Sequence, residues 1–355
     1  MSKSKIIAAV SAVLVLLAAA ASSASPMTAT NDFRLESTIA FSSTRDHVND
    51  NPALTPPLLG AEVYLINPDT TNPRRLTNNA AFDGFANLSP DGKKIAFDST
   101  RYTGSLNVSD LFLMNNDGTE QTLLRHGSSA TWSPDSKNIA FHASASGAGT
   151  PIRTDPGSAT SDSDIFVANV DDLLAGVEQP TNITNSPDMI DDDPDWSPDG
   201  QRVVFTRHPV GDNQQFSNQA ELYLMNPDGT GLEQLTQNGQ EERAPSWSPD
   251  GTRIVYSSRV GGGTNPFRIF VMNSDGSDVQ QLTDEGDSVS DLTATWSPDG
   301  QQILYHRRGT VAPGDPTPAG QQLFIMNADG SGQTQLTYPP GVNNLAHWGV
   351  LRVNG

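Results

Sequence analysis

The chain has 355 residues and a formal net charge of −20, from 21 Lys and Arg against 41 Asp and Glu, and it contains no Cys. The charge excludes nucleic acid and anionic membrane surfaces as favoured partners, because both would be repelled. The absence of Cys excludes disulfides, thiolate metal sites and lipid anchoring through a cysteine.

The first 24 residues have the pattern of a secretory signal, Met1–Ala24. Lys3 and Lys5 precede an apolar run over Ile6–Ala21, and small residues follow it. The alternative is a membrane anchor, but this run is shorter than the roughly 20 residues that span a bilayer. We therefore predict signal cleavage, no membrane insertion afterwards, and export to the periplasm or the extracellular medium.

Residues 25–36 are predicted to form a short segment, and residues 37–355 a single repeat domain. The phrase WSPDG or a close variant recurs along this domain, and all five Trp of the protein share its first position. Leu88 takes the place of Trp in the first copy. The Trp positions are Trp132, Trp196, Trp247, Trp296 and Trp348.

Each unit predicts four short strands. One ends at the Trp position, the second reads like RIVYSSR, the third like RIFVMN, and the fourth ends in Leu-Thr. Ser-Pro-Asp-Gly and Asn-x-Asp-Gly separate the strands and are typical of tight turns. Four-stranded units of about 40–50 residues are typical of a β-propeller.

The count of repeats predicts an all-β fold with six four-stranded blades. The first copy of the second strand, Ser37–Arg45, has no Trp strand before it, and the last Trp strand, Asn343–Val350, has no second strand after it. We therefore predict that these two segments pair in a composite blade and close the ring.

The repeat resembles the TolB-type propeller family, most clearly over Arg202–Gly251 and Arg253–Gly300. The shared motifs are an Ile-x-Phe-x-Ser-x-Arg-like strand, Met-Asn-x-Asp-Gly, Leu-Thr, and Trp-Ser-Pro-Asp-Gly. The resemblance implies a six-bladed fold and partner binding, since periplasmic TolB proteins bind the peptidoglycan-associated lipoprotein. Related propellers occur in peptidases and polysaccharide lyases. TolB has an amino-terminal α/β domain, which we expect to be lacking here because the repeats begin at Ser37.

Function is expected on the face formed by long connections that differ between blades, because variable loops on a rigid scaffold commonly carry binding sites. An acidic column, five residues before the Trp position, is predicted at the channel rim of that face. Hard cations prefer several oxygen ligands, so the column suits Ca²⁺ or a basic peptide. The predicted partner- or cation-binding residues are Asp83, Asp191, Asp192, Asp193, Asp195, Glu242 and Asp291.

Arginines at the ends of the second strands offer a structural alternative, because they could pair with the same carboxylates between blades. A channel cation, direct contact with a partner and such pairing all remain open from the sequence. These rim arginines are Arg45, Arg101, Arg207, Arg259 and Arg307.

No catalytic residue is predicted. The sequence lacks a Gly-x-Ser-x-Gly elbow, a His-Glu-x-x-His motif and a phosphate-binding Gly-rich loop. We therefore interpret the chain as an exported, monomeric propeller that binds an envelope or extracellular protein or a glycan, with Ca²⁺ as the one cofactor considered. The alternative is a carbohydrate-active lyase or hydrolase with its site at the channel mouth, which would need a converging cluster of His, Arg and carboxylate groups.

Overall fold

The computed structural model describes residues 33–46, 60–102, 109–144, 163–177, 180–210, 219–261, 263–284, 286, 289–309, 320–339 and 341–354. The predicted signal and most of the long variable connections lie outside these residues.

The described residues form five hydrogen-bonded sheets, which we name A to E. Sheet A has the order β24-β1-β2-β3 and contains β1 (Phe33–Ser43), β2 (Glu62–Ile66), β3 (Arg74–Arg75) and β24 (Asn343–Asn354). Sheet B contains β4 (Asp83–Leu88), β5 (Lys94–Ser99), β6 (Asp110–Asn115) and β7 (Thr122–His126).

Sheet C has eight strands, and sheets D and E have four each. Sheet C contains β8 (Ser128–Trp132), β9 (Asn138–Ser144), β10 (Ser163–Asn169), β11 (Thr181–Asn182), β12 (Met189–Trp196), β13 (Val203–Pro209), β14 (Glu221–Met225) and β15 (Glu233–Gln234). Sheet D contains β16 (Glu241–Trp247), β17 (Arg253–Arg259), β18 (Arg268–Asn273) and β19 (Gln280–Gln281). Sheet E contains β20 (Val289–Trp296), β21 (Gln302–Gly309), β22 (Gln321–Asn327) and β23 (Thr334–Gln335).

This topology confirms an all-β propeller but corrects the predicted number of blades. Four of the five sheets are separate four-stranded blades, whereas six such blades were predicted. The strands expected to form the third and fourth blades are instead joined in sheet C. β11 pairs with Phe166 and Val167 of β10, and the start of β10 pairs in parallel with β12, at Ser163 and Ile190. The Ser163 hydroxyl also donates to the Asp191 carbonyl at 3.1 Å.

Sheet A combines the two ends of the described chain. β1 pairs antiparallel with β24 from Phe33 opposite Asn354 to Ser43 opposite Asn343. The far end of this ribbon packs on sheet B, where the Arg352 amide donates to the Gly92 carbonyl at 2.9 Å. A Cβ on Gly92 would lie 2.5 Å from the Arg352 nitrogen, so this approach requires glycine. A closed ring of six separate blades is nevertheless not confirmed, given the joined sheet C.

The hydrophobic core lies between the faces of neighbouring sheets. Between sheets D and E, for example, Val255 and Val271 pack with Ala294, Trp296 and Tyr305. Strands in the middle of each sheet are buried on both faces, which explains why segments such as RIVYSS are almost continuously apolar or small. The Trp column therefore fills the space between sheets.

Sheet C contains a short helix between its strands β10 and β11. Helix α1 (Val170–Ala175) replaces the usual Asn-x-Asp-Gly turn between β10 and β11. Asn169 caps its amino terminus by accepting from the amides of Asp171 and Asp172, and Gly176 ends it with a φ of 66°.

Candidate functional site

The acidic column of the sequence occupies equivalent positions near the start of four inner strands, and its carboxylates are fully buried. Three of them are held by arginines of the adjacent strand. Asp191 accepts from Nε and NH2 of Arg207 at 2.6 and 2.8 Å. Asp291 accepts from Nε and NH2 of Arg307 at 2.7 and 3.0 Å. These pairs lie within one sheet rather than between blades.

The third pair, Asp83 with Arg101, also compensates a buried carboxylate, but through one guanidinium hydrogen bond instead of two. Asp83 accepts from NH2 of Arg101 at 2.9 Å and from Asn79 Nδ2 at 2.6 Å. Arg45 finds an amide instead of a carboxylate and donates to Asn343 Oδ1 at 3.1 Å. Three of the four carboxylates of the acidic column are therefore compensated buried charges, which leaves few of their oxygen atoms for an external cation.

Aromatic side chains hold these arginines in place. Each sheet pairs an aromatic residue of a second strand with one of a third strand, and in sheets A, B, C and E a guanidinium lies over both rings. Arg207, for example, is 5.4 Å from the Phe205 centroid and 5.3 Å from that of Tyr223. Arg45, Arg101 and Arg307 repeat this arrangement. Cation–π stacking and ion pairing thus act on the same group and fix its orientation.

Glu242 departs from the column. The arginine of its own sheet, Arg259, lies over Phe267 at 4.3 Å, and its Nε is 3.3 Å from Glu241 Oε2. Among the described residues, Glu242 forms no ion pair, and its Oε2 is buried without a hydrogen-bond partner. Burial raises the pKa of Glu242 to about 7, and the neighbouring charge of Glu221 adds to this effect.

The strands nearest the axis share a β-bulge that the sequence did not reveal. We call β4, β8, β12, β16, β20 and β24 the inner strands. Each places two residues, three and two positions before the Trp column, opposite a single residue of its partner strand. The first residue of each bulge has a positive φ between 48° and 53°, a conformation that L-residues avoid. These six bulge residues are Phe85, Ser129, Asp193, Ala244, Thr293 and Leu345.

The bulge residues line an axial cavity of about 280 Å³. A second cavity of about 320 Å³ continues toward the Ser-Pro-Asp-Gly turns and is lined by the Trp column and the following prolines. The residues just before the Trp column line both cavities and are mainly polar. They are Asn87, Thr131, Asp195, Ser246, Thr295 and His347.

The additional aspartates of β12 lie closer to this axis than the acidic column does. Asp193 lines the first cavity, and both burial and the charge of Asp192 raise its pKa. Asp195 lies between the two cavities and accepts from the Trp247 amide at 2.8 Å and the Thr131 hydroxyl at 3.0 Å. Burial nevertheless raises the pKa of Asp195 to about 6.

Asp192 faces two imidazoles behind the cavity wall. His142 Nδ1 is 3.9 Å from one of its oxygens, and His208 Nε2 is 3.7 Å from the other. Burial opposes ionisation of Asp192, but His142, His208 and Arg243 outweigh it and lower the pKa of Asp192 to about 2. Both histidines are more than nine-tenths buried. A group of His, Arg and carboxylate side chains therefore does converge beside the cavity.

Sequence reasoning missed a second column of buried polar residues at the start of the third strands. In three sheets, a carboxylate there accepts from the connection that leads to the next inner strand. Glu62 accepts from the Asn79 amide at 2.6 Å, Asp164 from the Ser186 amide at 2.9 Å, and Glu221 from the Gly239 amide at 2.9 Å. The repeated acidic first residue of the third strand was the available signal.

The described part of the chain contains no group of three or more His, Asp or Glu side chains arranged to hold a metal ion. Within the same residues, no helix is long and apolar enough to cross a membrane.

Comparison with known proteins supports the repeat assignment. Residues 215–314 match the family model of the TolB beta propeller domain, which confirms the resemblance over that segment. The dipeptidyl-peptidase 5 of Porphyromonas gingivalis is 40% identical over 68 residues, which cover 19% of this chain and 10% of that protein. The chain therefore spans about a tenth of this curated relative.

Solved structures show the same fold. TolB from Acinetobacter baumannii superposes with a TM-score of 0.64 at 19% identity, covering 88% of this chain and 66% of that one. A chain of a nidogen/laminin complex superposes with a TM-score of 0.55 at 11% identity, covering 89% of this chain and 98% of that one. At these identities, the likeness concerns the fold.

Proposed function

We propose that this chain, built on a TolB-like propeller, is an exported, monomeric scaffold that binds an envelope or extracellular protein, or a glycan, at the axial cavity and the variable connections around it. This proposal includes cleavage of the signal at residues 1–24 and a single propeller domain from residue 37 onward. TolB proteins provide the family precedent for a binding role.

The observation that carries the proposal is the difference between the six bulge residues. Their backbone geometry is the same, yet Phe85, Ser129, Asp193, Thr293 and Leu345 differ in size, polarity and charge, as does the Ala at the sixth position. A uniform frame that presents dissimilar side chains to a cavity is typical of a recognition surface. The buried arginine–carboxylate pairs supply the frame, and the bulge residues supply selectivity.

A carbohydrate-active enzyme is the second candidate function, because His142, His208, Asp192 and Arg243 converge beside the cavity. Neither histidine lines the cavity, and Nδ1 of His142 and both nitrogens of His208 are buried, so these atoms do not face a ligand there. General acid–base catalysis requires hydrogen-bond reach to the substrate. The geometry therefore favours binding over turnover.

The test compares a cavity variant with a matched variant on the opposite face. The immobilised protein is used to recover a partner from envelope and secreted fractions, and the affinity of the purified partner is then measured by calorimetry. Asp193→Asn should weaken binding at least tenfold, because it removes a charge that lines the cavity. Asp228→Asn lies in an exposed Asn-x-Asp-Gly turn and should leave the affinity unchanged.

Equal effects of the two substitutions would refute binding at the cavity. Turnover of a polysaccharide by the purified protein, lost in His142→Gln, would instead support the enzyme.

A further inference from the structure

Glu221 and Glu242 form a pair of buried carboxylates where sheets C and D meet. One asparagine bridges them, since the Asn238 amide donates to Glu221 Oε1 at 3.1 Å and its Nδ2 donates to Glu242 Oε1 at 2.7 Å. Glu221 is 7% exposed and Glu242 is 0% exposed. The second oxygen of each, Oε2, is buried and has no hydrogen-bond partner within the part of the chain that the structure describes.

The same frame occurs where sheets A and B meet, but with two arginines added. There Asn79 bridges Glu62 and Asp83, with its amide at 2.6 Å from Glu62 Oε1 and its Nδ2 at 2.6 Å from Asp83 Oδ2. Arg75 donates to Glu62 at 2.8 Å, and Arg101 donates to Asp83 at 2.9 Å. Two guanidinium groups therefore compensate two buried carboxylates at this equivalent position.

Both compensating groups are lost beside Glu242. Gln234 occupies the position equivalent to Arg75, because the two side chains make the same contact. Gln234 Nε2 donates to the Thr236 carbonyl at 2.7 Å, and Arg75 Nε donates to the Thr77 carbonyl at 2.7 Å. The guanidinium equivalent to that of Arg101 belongs to Arg259, which is turned toward Phe267 and Glu241.

A buried pair of like charges without a cation is unfavourable, because each ion loses its hydration and repels the other. In the equivalent frame, Arg75 and Arg101 donate to the same two oxygens that Asn79 bridges, Glu62 Oε1 and Asp83 Oδ2. Among the described residues, no guanidinium donates to the corresponding Oε1 atoms of Glu221 and Glu242. Carboxylate oxygens are the donors that hard divalent cations prefer, and backbone carbonyls and water commonly complete their shell.

We propose that Glu221 and Glu242 form a Ca²⁺ site, in which the cation contacts both carboxylates and takes the place of the two guanidinium groups present at the Glu62–Asp83 frame. The site lies beneath the Asn238–Gly239 connection, so binding of the cation stabilises the position of that connection against sheet D.

Calcium binding is measured on the isolated full chain by calorimetry, with thermal unfolding followed in Ca²⁺, in Mg²⁺ and in EDTA. The wild-type protein should bind one Ca²⁺ at this site and unfold at a temperature several degrees higher than in EDTA, because a ligand of the native state stabilises it. Glu242→Gln should weaken the binding at least tenfold and remove the thermal response. Asp275→Asn, in an exposed turn, is the control and should retain both.

A second variant supplies the missing charge. Gln234→Arg should raise the unfolding temperature in EDTA and lose the calcium response, since its guanidinium would occupy the position of the cation. The Gln234→Arg variant also tests the calcium site if Glu242→Gln fails to fold. An unchanged calcium response in both variants would show adventitious binding to the acidic surface and would overturn the site. The absence of a response in the wild type, with stability that changes only with pH, would show that the pair holds a proton and would also overturn it.

Discussion

The pair formed by Asp191 and Arg207 allows a direct test of whether the acidic column serves the frame. The side chain of Asp191 is 0% exposed and that of Arg207 is 8% exposed, and two hydrogen bonds of 2.6 and 2.8 Å join them. Arg207→Met would preserve much of the packing over Phe205 and Tyr223 but leave the carboxylate without its cation. Removing one partner of such a buried pair costs about 3–5 kcal/mol.

The matched control is a surface pair of similar length. Arg202 NH2 lies 2.7 Å from Glu233 Oε2, but the two side chains are 32% and 59% exposed. Exposed pairs contribute about 0.2–1 kcal/mol, because water screens the charges and the side chains lose freedom on pairing. Arg202→Met should therefore lower the free energy of unfolding by less than about 1 kcal/mol.

The assay is urea unfolding of both variants and of the double variant Asp191→Asn/Arg207→Met. The double variant should recover at least half of the loss, because no buried charge remains. The loss in Arg207→Met should also shrink as the pH falls, since protonation of Asp191 removes the need for a counter-charge. If Arg207→Met costs no more than Arg202→Met, the pair is not a buried structural element, and the column would again be open to an external ligand.

Two further predictions concern the inner strands. Thr293→Gly should raise the free energy of unfolding, measured in urea, by up to about 1 kcal/mol, because a β-branched residue at a φ of 52° is strained. Thr295→Gly in the same strand is the control and should lower this free energy. A lower free energy of unfolding in both variants would contradict strain at the bulge. The pKa of Asp195 is raised from 3.8 to about 6 in the folded chain, so the stability that this carboxyl contributes in acid is lost as the pH rises from about 4 to about 6. Asp195→Asn should reduce this decline by at most about 3 kcal/mol in unfolding measured across that range, and an unchanged profile would contradict the shift.

The strands and turns could be predicted from the sequence because their causes are local. In each Ser-Pro-Asp-Gly turn, the Asp accepts from the Ser hydroxyl two residues earlier, as Asp199 does from Ser197 at 2.6 Å. The five Trp share a column because each fills the same gap between sheets. Repetition of such local rules was enough to identify the propeller and its inner strands.

The number of separate blades and the orientation of the acidic column could not be predicted in this way. The joining of sheet C depends on one parallel pairing, Ser163 with Ile190, which no local sequence motif marks. Whether Asp191 faces the axis or Arg207 depends on the bulge that follows it. The second position of each bulge is Ala or Pro, but such a column of small residues does not by itself predict a bulge. The six bulge residues share a backbone conformation but no chemistry, so their own types do not identify them.

The bulge also explains why the predicted rim and the observed cavity are lined by different residues. An extra residue in each inner strand turns the residues before it toward the neighbouring strand, where Asp191 and Asp291 meet their arginines. It turns its own first residue to the axis, as with Asp193 and Leu345. Charges of the frame and groups that face the cavity are thus separated within two or three residues of one strand. Of the stretch DMIDDDPD, Asp191 therefore belongs to the frame, whereas Asp193 remains available for recognition.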